Sequence, residues 1–111
     1  MAEATWVMEV TLTRPGRPRH FLPFVLAYAL LDEVLDQYGI ENGIPFRPRA
    51  HLGERMKRLE TVLHWSNYRT VDEGRDRRND LAHRAVLLSK ADCLRFIKAI
   101  EDEFVAWGLL P

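Results

Sequence analysis

Apolar residues recur at helical spacing between residues 22 and 38, and this pattern predicts the first and most buried helix of the chain. Phe24, Tyr28 and Leu31 follow one another at intervals of four and three residues, which places them on one face of a helix. Further apolar residues widen this stripe on both sides. We expect Gly39 just past the end of the helix, a position that favours glycine.

Three further helices are predicted by the same kind of pattern. The second covers residues 50–65, with apolar residues on one face and charged residues on the other. The third is predicted to begin with Thr70 as its cap and Glu73 reaching back to the cap amide. The fourth is predicted to begin after the capping residue Ser89 and to be closed by Gly108.

Four amphipathic helices with short connections predict an all-α fold, a four-helix up-and-down bundle over residues 21–111. Ahead of the bundle, residues 6–13 are rich in β-branched side chains and indicate a short β-strand. Pro15 and Pro18 end this segment, because proline interrupts both strands and helices. We therefore divide the chain into an N-terminal strand or extended arm, residues 1–20, and the helical bundle.

The composition is typical of a single small domain. The 111 residues include 16 Lys or Arg and 16 Asp or Glu, and a net charge of zero excludes a uniformly basic coat for nucleic acid. The single cysteine, Cys93, excludes an internal disulfide and a zinc site built from several cysteines. No signal peptide and no apolar run of membrane-spanning length is present, so we expect a cytoplasmic protein without membrane contact.

Positive charge is concentrated between residues 47 and 90, where eleven Lys or Arg stand beside six Asp or Glu. Four of these cations lie on the predicted third helix: Arg75, Arg77, Arg78 and Arg84. They form either a solvated helix face, with Glu73–Arg77 and Asp80–Arg84 ion pairs, or a basic patch that binds a polyanion.

The third helix also contains the segment Arg78-Asn79-Asp80-Leu81-Ala82-His83. An arginine, a polar residue, a few more residues and then a histidine are the hallmark of the HEPN superfamily (higher eukaryotes and prokaryotes nucleotide-binding domains). These proteins are small all-α bundles. Over residues 21–108 the chain resembles them in helix order as well, with the motif near the third helix.

The resemblance implies a metal-independent endoribonuclease that acts as a toxin or a defence effector, usually as a dimer with two motifs at one cleft. Arg78 would hold the scissile phosphate, His83 would transfer a proton, and Asn79 would orient either group. The residue types suit this chemistry, because imidazole titrates near neutral pH and a guanidinium pairs with phosphate. The other arginines of the helix are then the expected RNA-binding residues: Arg75, Arg77 and Arg84.

We accordingly expect an RNA substrate, a homodimer and possible control by a cognate antitoxin protein, with no metal and no cofactor. Arg78 and His83 are five residues apart, about 140° around an ideal helix, so a kink or a second subunit is needed to bring them together. Two alternatives stay open: a non-catalytic HEPN-like module that binds a protein partner or nucleic acid, and a structural helical domain with a chance motif.

The remaining histidines and the cysteine give weaker signals. His20, His51 and His64 are far apart in sequence, and no pair has the spacing of metal ligands on one helix. Cys93 falls on the apolar stripe of the fourth helix, which predicts a buried small side chain rather than a nucleophile.

Overall fold

The computed structural model describes residues 20–44, 46–47, 49–84 and 88–111, apart from the side chains of residues 82–84. Within these ranges the chain forms four α-helices and no strand: α1 (Phe21–Glu41), α2 (Leu52–Arg58), α3 (Tyr68–Arg84) and α4 (Lys90–Ala106). The all-helical class is therefore confirmed for the described residues. The strand predicted at residues 6–13 lies outside them.

The helices enclose one apolar core. α4 packs against both α1 and α3, and the short α2 connects the two by contacting α1 on one side and α3 on the other. The largest fully buried apolar side chains come from every helix: Phe24, Tyr28, Leu31 and Leu35 from α1, Met56 from α2, Val71 from α3, and Phe96 and Ile100 from α4. The apolar stripes of α1 and α4 therefore face the core as their spacing predicts.

The end of α1 differs from the prediction at Gly39. The helix continues to Glu41, and Gly43, with φ of +67°, takes the left-handed position after it. Gly39 is buried inside the helix, where a Cβ atom would lie 2.5 Å from Cε2 of Phe46. This glycine is thus required by the close approach of the following loop, not by the termination of the helix.

The second helix is shorter than predicted. α2 ends at Arg58, and turns carry the chain from Leu59 to Leu63, although both leucines are buried as their spacing suggests. The following segment is held by the residue directly after α4, because the indole of Trp107 donates to the carbonyl oxygen of His64 at 3.3 Å.

The start of α3 also corrects the prediction, because the cap is Asn67 and not Thr70. Asn67 precedes the first helical residue, and its Oδ1 accepts the Thr70 N–H at 3.4 Å. Glu73 does not reach back to the helix start. Its Oε2 accepts from Nη2 of Arg95 on α4 at 2.7 Å.

A buried carboxylate from α4 holds the segment that leads into α3. Glu103 has no solvent-exposed surface, and its two oxygens accept the backbone N–H groups of Ser66 and Asn67 at 2.7 and 2.8 Å. Backbone N–H groups at the start of a helix lack partners within the helix and favour a negative charge. Glu103 thus fixes where α3 begins relative to α4.

The fourth helix has the predicted ends. Ser89 Oγ accepts the Asp92 N–H at 3.0 Å, and Gly108, with φ of +78°, follows the last turn. The N–H of Leu109 then bonds to the Phe104 carbonyl oxygen at 2.8 Å, which completes a glycine-terminated helix end.

Gly74 allows α3 to lie directly on α1 and α4. A Cβ atom at this position would collide with the Tyr28 hydroxyl and lie 2.8 Å from the Phe96 ring. The same hydroxyl donates to the Val71 carbonyl oxygen at 2.7 Å. Burial raises the pKa of Tyr28, so the phenol remains a protonated donor in this bond.

The Gly74→Ala variant is expected to lose about 1–3 kcal/mol of unfolding free energy, the usual cost of overpacking a core. Gly53→Ala is the control, since its Cβ would meet only the flexible Arg75 side chain at 3.2 Å. It should be neutral or gain up to about 1 kcal/mol from helix propensity. Urea denaturation followed by circular dichroism measures both, and equal stability of the two variants would refute the close-packing role.

The Glu103→Gln variant keeps the side-chain shape but replaces one acceptor oxygen with an NH2 group. We expect a loss of about 1–3 kcal/mol, because one partly buried backbone N–H loses its acceptor. The control is Asp102→Asn, at an exposed residue that pairs with Lys98 at 2.6 Å, which should cost less than about 1 kcal/mol. Equal losses in the same denaturation experiment would contradict the capping role of Glu103.

Candidate functional site

A cleft of about 680 Å³ lies between α2 and α3. The wall on the α2 side is formed by residues around that helix: His51, Leu52, Gly53, Glu54, Lys57 and Glu60. The opposite wall is one face of α3: Tyr68, Asp72, Arg75, Arg78 and Asn79. Since α3 is a continuous α-helix, the intervals of four, three and three from Tyr68 to Arg78 place these residues side by side, and Asn79 lies four residues after Arg75 on the same face.

The α2 wall is held against α1 by an ion pair. Nη1 of Arg55 lies 2.7 Å from Oδ1 of Asp32, and its Nη2 lies 3.6 Å from Asp36. Arg55 is largely buried, and its guanidinium lies 5.4 Å from the centroid of the Phe46 ring. Because partly buried pairs are less screened than exposed ones, this contact helps to fix the position of α2 beside the cleft.

Arg78 joins the cleft to the core. Its guanidinium carbon lies 5.9 Å from the centroid of the buried Tyr28 ring, within the range of a cation–π contact. The arginine also opposes the rise in the Tyr28 pKa that burial causes. The packing of α3 on α1 thus orients Arg78, while its side chain still lines the cleft.

Arg75 reaches the α2 wall of the cleft at Gly53. Its Nε donates to Oδ1 of Asp72 at 2.8 Å, and its guanidinium lies against the backbone at Gly53. A second ion pair, Arg47–Glu54 at 2.8 Å, uses another carboxylate of the cleft. The cleft therefore carries both signs of charge rather than a continuous positive surface.

The other predicted site residues are placed differently. Arg77 does not line the cleft, and its charge acts on the Cys93 thiol of α4. The predicted Glu73–Arg77 pair was wrong, because Glu73 binds Arg95. Positions 83 and 84 occupy the last turn of α3, and their side chains lie outside the described part. The roles of His83 and Arg84, and the Asp80–Arg84 pair, therefore stay predictions.

The cleft contains a histidine that the sequence did not single out. His51 immediately precedes α2 and lines the same cleft as Arg78 and Asn79. The other two histidines with described side chains do not line the cleft: Nε2 of His20 is 2.9 Å from the Leu88 carbonyl oxygen, and His64 lines an adjoining depression that shares Glu60 and Tyr68 with the cleft. No local spacing relates residue 51 to residue 78, since they approach only through helix packing.

Among the described residues, no three His, Cys, Asp or Glu side chains form a group that could hold a metal ion. None of the described helices combines the length and apolarity needed to cross a membrane. Comparisons of the chain with protein-family models, curated proteins and solved structures found no match.

Cys93 is buried as predicted, and burial raises the pKa of its thiol from 9.0 to about 11. The thiolate fraction at pH 8 is then roughly a hundredfold smaller in the folded than in the unfolded chain. We expect slow alkylation by iodoacetamide in buffer and rapid alkylation in urea, followed by mass spectrometry. Equal rates in the two conditions would exclude a buried, protonated thiol.

Proposed function

We propose that this chain is a metal-independent endoribonuclease of the HEPN type, acting as a toxin or defence effector. The supporting observation is that Arg78 and Asn79, two residues of the motif, line one cleft. A cleft of about 680 Å³ is within the size range of small-molecule sites. It would hold the nucleotides around a scissile phosphate rather than a long duplex.

The proposed reaction is transfer of the phosphoryl group to the neighbouring ribose oxygen. The 2′-oxygen bonds to phosphorus, the bond to the 5′-oxygen breaks, and the products carry a 2′,3′-cyclic phosphate and a 5′-hydroxyl. Arg78 would pair with the phosphate oxygens, where negative charge develops. His83 would transfer a proton at one of the two ribose oxygens, and Asn79 would orient the arginine or the phosphate.

The distribution of charge in the cleft is compatible with a short RNA contact. Arg75 and Arg78 stand beside Asp72 and Glu60, so the cleft attracts a phosphate locally without favouring an extended polyanion. Of the predicted RNA-binding arginines, Arg75 is the one with described contacts at the cleft. Binding should therefore depend only weakly on salt concentration, because few counterions are released.

A homodimer is part of the proposal. α3 is continuous through the motif, so Arg78 and position 83 are separated by about 140° around the helix axis. A second chain would add its own motif to the cleft, so that the arginine of one chain and the histidine of the other would act on the same phosphate. A cognate antitoxin protein would act by covering this composite site.

Replacement of Arg78 or His83 by alanine is expected to lower RNA cleavage at least about a hundredfold, because a phosphate-binding group or a proton-transfer group is lost. Initial rates are measured on total RNA with EDTA present. Arg69→Ala is the matched control, since Arg69 is exposed on the same helix and does not line the cleft. Its rate should equal that of the wild type.

Circular dichroism and urea denaturation of each variant separate loss of chemistry from loss of folding. Wild-type rates in a folded Arg78→Ala or His83→Ala protein would refute the nuclease assignment. Wild-type protein that binds RNA without cleaving it would favour the non-catalytic binding module.

A further inference from the structure

We propose that His51 is a second proton-transfer residue of this cleft, acting together with Arg78 and Asn79. The inference rests on the proposed ribonuclease function and extends it to a segment outside the motif. The proposed reaction moves two protons. One proton leaves the attacking 2′-hydroxyl and another must reach the departing 5′-oxygen, so a base and an acid are needed in the same step.

Within one chain, the residues of the motif supply only one such group. An arginine keeps its proton in proteins and acts as a hydrogen-bond donor, and the asparagine amide does not titrate. His83 of the same chain therefore accounts for one proton transfer, and the other falls either to the motif of the second chain or to another histidine of the cleft. Among histidines with described side chains, His51 is the one that lines the cleft of Arg78 and Asn79.

The position of His51 is well defined while its ring makes no capping hydrogen bond. Its carbonyl oxygen accepts the Arg55 N–H at 3.1 Å, and the next residue, Leu52, is buried in the core. The imidazole does not bond to the start of α2, and the residue is exposed. A fixed backbone with an accessible ring suits a group that meets a substrate in the cleft.

Charged groups of both signs line the cleft around this imidazole, on its own side and on the opposite side. Its own side contributes Glu54, Lys57 and Glu60, and α3 contributes Asp72, Arg75 and Arg78. Arg78 would hold the phosphate between the two walls. In the step itself, one imidazole accepts the 2′-proton as the oxygen bonds to phosphorus, and the other, protonated, gives its proton to the 5′-oxygen as that bond breaks.

The test compares His51→Asn with wild type and with His64→Asn in the same EDTA-containing RNA cleavage assay. Asparagine is favoured at the residue preceding a helix, so His51→Asn should fold at least as well as wild type but cannot transfer a proton near neutral pH. We expect a loss of about a hundredfold or more in rate. His64→Asn, altered in the adjoining depression at a residue that does not line the cleft, should stay within about threefold of wild type.

The pH profile of the rate provides a second readout, which a purely structural role would not change. Wild type should give a bell-shaped profile, and His51→Asn should lose one limb of it. His51→Gln repeats the measurement in case asparagine alters the start of α2. An active wild type that is inactivated by Arg78→Ala but unaffected by either His51 variant would overturn this inference alone. Wild type without any cleavage would instead overturn the proposed function.

Discussion

The buried carboxylate of Glu103 is the interaction on which the arrangement of the last two helices depends. Removing a carboxylate from water is costly unless hydrogen bonds compensate for the lost hydration. Here both oxygens accept backbone N–H groups directly before α3. The contact fixes where α3 starts and how it is aligned with α4. Successive side chains are about 100° apart around a helix. If α3 started one residue earlier or later, a different set of its side chains would therefore face α2.

The close packing of α3 on α1 and α4 then determines which side chains line the cleft. Gly74 brings the α3 backbone onto Tyr28 and Phe96, and the Tyr28 ring lies beneath the Arg78 guanidinium. On the other side, Arg55 ties α2 to α1 through Asp32. Both walls of the cleft are therefore anchored to α1, which favours a preformed site over one that forms around its ligand.

The proposed chemistry draws on two separate segments of the chain. The motif contributes Arg78 and Asn79 from α3, and the segment before α2 contributes His51. In this arrangement the motif recognises the phosphate and the other wall completes the proton balance. Two alternatives, a binding module without catalysis and a structural domain with a chance motif, use the same fold but give no role to the His51 imidazole.

Local signals in the sequence determined the helical class, the apolar faces of α1 and α4, and both ends of α4. Ser89 and Gly108 act on backbone groups within a few residues, so their effect can be predicted from neighbouring positions. The sequence also indicated Arg78 and Asn79 as site candidates through their place in a short motif. Only the tertiary structure shows how the segment between α2 and α3 is held, because Glu103 and Trp107, which bind its backbone, lie about forty residues further along the chain. The Asn67 cap of α3, by contrast, is a local signal. The sequence did not indicate His51 as a site residue for a similar reason. It lines the same cleft as Arg78 because two helices pack together, and no spacing along the chain encodes that arrangement.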